Sequence, residues 1–219
     1  MTNRDSPVPE VTPTLLLRAY AAGVFPMADS AETDEIFWVE PRMRGILPLD
    51  QFHLSRSFRK RLQRGGFHVT VDEAFATVVQ GCANRPETWI NRPIHNLYCS
   101  LHKLGHAHSI EVWADDRLIG GLYGVRLGGA FFGESMFSRA PDGSKIALAY
   151  LVARLRAGGF ALLDTQFTTT HLERLGARTV PKEIYQTLLS EALRLQGDFW
   201  ALSPAASPAS VAQLITQTS

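Results

Sequence analysis

The chain has 219 residues, 45% of them hydrophobic, a formal net charge of +1 and two cysteines. That length and composition suit a soluble globular protein with one good core, and they exclude a disulfide scaffold or a chain disordered throughout. The near-neutral charge excludes a whole-protein field as the means of gathering nucleic acid, so any such attraction must come from a local patch.

Residues 1–10 are polar, lack the apolar core of a signal peptide and are expected to be mobile; no apolar segment approaches a membrane span, so the expected compartment is the cytoplasm. Thr12 and Pro13 open a helix that Gly23 closes. Short strands are expected at 36–38 and 44–47, and Ser55 opens a basic helix ending at Gly65-Gly66. Residues 11–64 thus read as a small N-terminal module. A second domain, 65–200, is expected to carry a strand at 67–71 and helices at 72–82 and 92–104. Three strands follow at 108–114, 118–127 and 130–135, with Asp115-Asp116-Arg117 and Gly128-Gly129 as turns, which makes an antiparallel meander. A helix at 144–157, a strand at 160–165 and helices at 169–175 and 182–195 complete it. The Pro-, Ser- and Ala-rich residues 201–219 read as a mobile tail. The fold class is α+β: a small N-terminal α/β module, then a largely antiparallel mixed sheet whose strand order resembles the N-acetyltransferase-like superfamily.

Glu134 lies in the apolar run Ala130-Phe131-Phe132-Gly133-Glu134-Ser135-Met136-Phe137-Ser138. Burying a lone carboxylate costs several kcal/mol, roughly, so Glu134 is either hydrogen-bonded structurally or set to meet a cationic or N–H-bearing ligand. A second apolar strand ends in Asp164-Thr165-Gln166, whose acid and amide share a strand face. If the two strands are neighbours, Glu134, Asp164 and Gln166 converge on one cleft able to accept hydrogen bonds from an amine. The alternative is a strand-end hydrogen-bond network.

These pieces resemble the leucyl/phenylalanyl-tRNA–protein transferase family over about residues 17–193. The motifs that carry the resemblance are Tyr20-Ala21-Ala22-Gly23-Val24-Phe25-Pro26, His53-Leu54-Ser55-Arg56-Ser57, Thr88-Trp89-Ile90 and Leu104-Gly105-His106-Ala107-His108-Ser109-Ile110-Glu111. Further on are Gly120-Gly121-Leu122-Tyr123-Gly124-Val125, Gly133-Glu134-Ser135-Met136-Phe137-Ser138 and Leu163-Asp164-Thr165-Gln166. The resemblance implies transfer of Leu or Phe, less often Met, from aminoacyl-tRNA to the α-amine of proteins beginning with Arg or Lys, marking them for N-degron degradation. It also implies a monomer with no cofactor, metal or membrane partner.

Residue by residue, the resemblance makes Asp164, Gln166 and Glu134 the catalytic set, Asp164 orienting Gln166, whose carbonyl accepts from the attacking amine. It makes Leu122, Phe131, Leu148, Leu151, Leu155 and Leu163 the aminoacyl pocket, although by periodicity each is simply core. Trp38, Trp89 and Tyr98 match the site for the terminal adenosine, with packing as the alternative for Trp38 and Tyr98. Arg56, Arg59, Lys60, Arg61 and Arg64 coincide with the acceptor-stem contact; such a run otherwise reads as a solvated face. One departure stands out: Thr170 precedes His171 where the family pattern is expected to have Asp, and Thr170 is expected to cap the helix that follows.

Two other readings remain. A coenzyme A N-acetyltransferase would need a Gly-rich turn before the helix after the meander, but Ser138-Arg139-Ala140-Pro141-Asp142-Gly143-Ser144-Lys145 holds a single Gly and a Pro. A non-catalytic aminoacyl-tRNA binder has only Thr170 in its favour. His95, His102, His106 and His108 lack a Cys or acid to complete a metal set, and Cys82 and Cys99 fit no metal spacing.

Overall fold

Thr12 accepts a hydrogen bond from the Leu15 amide at 3.2 Å, and Pro13 fills the first position of helix α1 (Pro13–Ala21), whose inner face buries Leu16 and Tyr20. The computed structural model describes residues 11–216; the N-terminal ten residues and 217–219 lie outside the described residues. Strands β1 (Phe25–Met27) and β2 (Phe37–Val39) pair antiparallel as a small separate sheet, and β3 (Met43–Ile46) follows. Ser55 accepts from the Phe58 amide and caps α2 (Arg56–Arg64), which ends at Gly65 with φ 68°. Next come β4 (His68–Val71), α3 (Phe75–Ala83) and α4 (Arg92–Lys103), the last capped by Asn91. The meander is β5 (Ala107–Ala114), β6 (Arg117–Leu127) and β7 (Ala130–Ser138). After it come α5 (Gly143–Ala157), β8 (Leu162–Gln166), α6 (Thr170–Glu173), β9 (Arg178–Pro181), α7 (Lys182–Leu193) and α8 (Pro208–Thr216).

The large sheet runs β4-β5-β6-β7-β8-β3-β9. Every neighbouring pair is antiparallel except β7 and β8, so the sheet is mixed and largely antiparallel, as expected. Apolar cores on both faces explain why the central strands read as nearly continuous apolar runs. One core joins α2, α5 and α8 to Leu122, Phe131 and Leu163. The other joins α1, α3, α4 and α7 to Tyr123, Phe132 and Leu162.

Three differences from the sequence reading have physical causes. β3, assigned to the first module, is an interior strand of the large sheet between β8 and β9. The short strand β9 escapes notice because only Val180 of its four residues is buried, leaving no alternation. The composition of residues 201–219 concealed α8, whose Val211, Ala212 and Ile215 are buried on one face. The buried Arg154 of α5 holds the approach to it, its Nη1 donating to the Phe199 and Leu202 carbonyls at 2.7 Å each. Among the described residues no helix is long and apolar enough to cross a membrane.

Candidate active site

Two irregularities in the sheet put the acids where they are. The β6–β7 register pairs Tyr123 with Ser135 and Gly124 with Gly133, so Glu134 is the extra residue of a bulge, which turns its side chain out of the ladder. The parallel ladder between β7 and β8 covers Ala130 to Phe132 against Leu162 to Asp164 and stops there. At its end the two strands are joined by side chains, with Gln166 Nε2 donating to Glu134 Oε1 at 2.8 Å. Glu134, Asp164 and Gln166 are thus brought together, all buried, in one strand-end hydrogen-bond network, and of the three Glu134 also lines the adjoining pocket.

Each acid has its own set of donors. Asp164 receives Arg44 Nε at 3.0 and 3.1 Å and Arg44 Nη2 at 2.6 Å, the Tyr185 hydroxyl at 2.7 Å and the Gln166 backbone amide at 2.7 Å. Arg44 also donates to the Gly23 carbonyl at 3.0 Å and lies between the rings of Phe25 and Tyr185, 4.5 and 4.6 Å from their centroids. Burial acts to lower the Arg44 guanidinium, but the charge and hydrogen bonds of Asp164 outweigh it and hold it above its ordinary value. Glu134 receives Tyr20 and Tyr98 hydroxyls at 2.6 Å each besides Gln166. Burial pushes the Glu134 carboxyl up to about 7, against those three hydrogen bonds and with the charge of Asp164 adding to the rise.

The expected link between Asp164 and Gln166 takes a different form. Asp164 accepts from the main-chain N–H of Gln166 and does not touch its amide, because Arg44 and Tyr185 fill the rest of the carboxylate. That bond holds Gln166 at φ 60°, a left-handed conformation that a non-glycine residue keeps only when its surroundings impose it. The amide itself is oriented by Glu134.

Beside Glu134 is an apolar pocket of about 100 Å3, lined by Leu122, Leu148, Leu151 and Leu163 as expected, and also by Met136, Leu172 and Thr165. Phe131 and Leu155 are not among its walls. Both are fully buried, and Phe131 stacks on Phe199 with ring centroids 5.7 Å apart. A larger hollow of about 280 Å3 lies at the β6–β7 hairpin and includes none of the acids.

Trp38 is exposed on β2, and Trp89 is half-buried in the loop before α4. The two segments touch: Ala28 N donates to the Trp89 carbonyl at 3.3 Å, and Asn91 Nδ2 donates to the Thr33 and Glu35 carbonyls. Tyr98 is not a stacking platform, since its ring is fully buried edge-on to Tyr123 and its hydroxyl is committed to Glu134. On α2, Arg56, Arg59, Lys60 and Arg64 are exposed. Arg61 instead folds back, donating to the Gly65 carbonyl at 2.6 Å and covering Phe67. Thr169, and not Thr170, caps α6 by accepting from the Leu172 amide; Thr170 is exposed at the first helical position and takes no part in the buried network.

At the start of α5, Gly143 N and Ile146 N donate to the carbonyls of Ala140 and Asp142, and Ser144 N donates to Ser138 Oγ at 2.7 Å. These three amides are therefore engaged within the protein. His108 Nδ1 pairs with Asp72 at 2.6 Å and His102 Nδ1 bonds the Ala107 carbonyl, both outside the cleft. Three residues of the site had no role in the sequence reading: Tyr20, Arg44 and Tyr185. Only Tyr20 lay in a quoted motif, and nothing in the spacing marks Arg44 as a buried cation.

Comparison with known proteins gives one consistent result. The family model described as leucyl/phenylalanyl-tRNA protein transferase matches residues 46–190, and that of the N-terminal domain of the same family matches residues 10–42. A leucyl/phenylalanyl-tRNA–protein transferase of Cereibacter sphaeroides is 57% identical over 96% of this chain and 99% of its own length. One from a Ruegeria species is 60% identical over 94% and 97%, and one from Rhizorhabdus wittichii is 62% identical over 84% and 75%. Among solved structures, FemX superimposes over 80% of this chain with a TM-score of 0.47 at 13% identity.

Proposed function

The chain belongs to the leucyl/phenylalanyl-tRNA–protein transferase family and is an aminoacyltransferase, and from that premise we propose how its cleft handles donor and acceptor. The donor is Leu or Phe, less often Met, esterified to tRNA. Its side chain enters the pocket of Leu122, Leu148, Leu151 and Leu163, where selectivity comes from shape. The acceptor is the α-amine of a protein beginning with Arg or Lys. With a reference pKa of about 7.7–8.0, part of it is already neutral at cellular pH, so positioning matters more than a strong base.

The observation that carries this reading is the fixed Gln166 amide. Its Nε2 is engaged by Glu134, and its Oε1 has no partner among the described residues, leaving a carbonyl to accept an N–H of the attacking amine. Asp164, locked by Arg44 and Tyr185, sets the backbone from which that side chain projects. Trp38 and Trp89 supply platforms for the terminal adenosine, and the exposed cations of α2 meet acceptor-stem phosphates. We place the protein in the cytoplasm as a monomer, where charged tRNA is its donor and transfer marks the acceptor for degradation.

The reading is tested with labelled Leu, Phe or Met on tRNA and peptides beginning with Arg, Lys or Ala. Transfer of Leu and Phe to the first two peptides but not the third supports it; indifference to the first acceptor residue counts against it. Leu148→Phe, which fills the pocket, is expected to reduce Phe transfer about tenfold more than Leu transfer, measured by competition between the two charged tRNAs. Arg59→Glu combined with Lys60→Glu is expected to weaken tRNA binding and to flatten its logarithmic salt dependence by about one unit per lost phosphate contact. An unchanged slope would remove α2 from the tRNA interface.

A further inference from the structure

Three short oxygen–oxygen contacts close a triangle in the cleft: Tyr20 to Glu134 Oε1, Tyr98 to Glu134 Oε2, and Tyr20 to Tyr98, each 2.6 Å. Each contact of that length needs a hydrogen between its oxygens. The two tyrosines bring two hydrogens. If Glu134 is ionised, both hydroxyls donate to it and the Tyr20–Tyr98 contact has no hydrogen, so lone pairs face each other. A third proton on Glu134 Oε2 resolves this. Glu134 then donates to Tyr98, Tyr98 donates to Tyr20, and Tyr20 donates to Glu134 Oε1, which still accepts from Gln166 Nε2 at 2.8 Å.

We propose that Tyr20, Tyr98 and Glu134 form a closed hydroxyl ring that serves as the proton acceptor of the reaction, with the three-proton arrangement as its loaded state. The proposal rests on the aminoacyl-transfer reading above. Of the three ring members Glu134 alone lines the pocket that takes the donor side chain, so the proton enters the ring through it. Tyr20 and Tyr98 act through it and are positioning residues.

The step balances. An N–H bond of the acceptor ammonium breaks and its proton joins the Glu134 carboxylate, giving a neutral amine and the closed ring. The amine's lone pair then forms the C–N bond to the ester carbon. The ester C–O bond breaks, and the leaving ribose oxygen takes a second proton from the nitrogen. The ring proton passes to solvent once product leaves.

The surroundings favour such a poise. Burial raises the Glu134 carboxyl to about 7, close to the reference range of an α-ammonium, and a matched acceptor is the efficient one. The groups facing it are Tyr20 of α1, Tyr98 of α4, Tyr123 of β6, Asp164 and Gln166 of β8, and Arg44 of β3. Tyr20 and Tyr98 are themselves held well above their ordinary value, by burial first and Glu134 second, so they keep their protons while Glu134 exchanges its own.

Two experiments test this. The first needs no substrate. The native state binds one more proton than the unfolded chain between 4.5 and about 7, so wild-type stability should fall as pH rises through that window and level off above it. Glutamine copies the neutral acid, its Nε2 donating to Tyr98 and its Oε1 accepting from Tyr20. Glu134→Gln should therefore lose that slope and be at least as stable as wild type above the window, measured by urea unfolding. Parallel curves for the two proteins would overturn the third proton. The second is the pH profile of kcat/KM for transfer. Wild type should give a bell, with an acid limb from Glu134 and an alkaline limb from the acceptor ammonium. Tyr98→Phe opens the ring and removes the contact that calls for the third proton, so it should move the acid limb downward; an upward move, the result of losing a plain donor to the carboxylate, would overturn the closed ring. Glu134→Gln should slow transfer at least tenfold and abolish the bell. Identical profile shapes in wild type and Glu134→Gln would overturn the acceptor role. Absence of wild-type transfer would overturn the proposed function and with it the source of the proton, whereas the stability slope still reports whether the ring holds it.

Discussion

Arg44→Met is expected to destabilise the protein by about 3–5 kcal/mol, the largest stability effect of any single substitution at the cleft. Arg44 is 1% exposed and Asp164 is 0% exposed, so neither charge has recourse to water when the other is removed. Methionine preserves much of the apolar stem but leaves Asp164 with only the Tyr185 hydroxyl and the Gln166 amide. The loss extends beyond one ion pair. The guanidinium also holds the Gly23 carbonyl and fills the gap between Phe25 and Tyr185, so it ties α1, β1 and α7 to the sheet. Urea unfolding should show a lower midpoint at unchanged slope. Asp164→Leu in the Arg44→Met background should restore part of the stability, because the unpaired buried charge is then gone; a double variant no better than the single would show that packing, and not charge, dominates.

Gln166→Ala is expected to reduce transfer about 100-fold or more, the largest activity effect, since it removes the side-chain carbonyl that Glu134, a wall of the pocket, holds in orientation. Its effect on stability should be modest and has a separable cause. Alanine keeps the backbone strain at φ 60°, while glycine relieves it. Gln166→Gly should therefore be the more stable of the two variants and equally inactive. If glycine restored transfer, the role of the residue would lie in its backbone geometry and not in its amide.

What the sequence revealed of this cleft follows from what is costly. An acid inside an apolar strand demands a partner, which made Glu134 conspicuous, and the two-residue spacing of Asp164 and Gln166 placed both at one strand end. The partners were concealed because arginine and tyrosine are ordinary surface or interface residues until their burial is known. Arg44 lies on a strand whose neighbours in the sheet come from residues 162–166 and 178–181, a pairing no local pattern encodes. The same limit explains the pocket. Leu148, Leu151 and Leu155 share a helix face, but only Leu148 and Leu151 of the three line the cavity while Leu155 is buried outside it, a distinction set by tertiary packing that helical spacing does not carry. Thr170, expected to cap its helix, stands one residue past the cap and is exposed. In the tail, Pro, Ser and Ala dominated the composition, yet three apolar residues on one face of α8 and two arginines of α5 reaching the carbonyls of Phe199 and Ile215 suffice to dock it.

The central claim is that the cleft transfers an aminoacyl group through an oriented Gln166, and it is tested most directly by offering wild type and Gln166→Ala labelled leucyl-tRNA together with a protein beginning with Arg. Leucine appearing at the acceptor's N-terminus with wild type, and falling about 100-fold with Gln166→Ala while charged tRNA remains bound, is the predicted result. Bound tRNA without transfer by wild type, or undiminished transfer by Gln166→Ala, would contradict it.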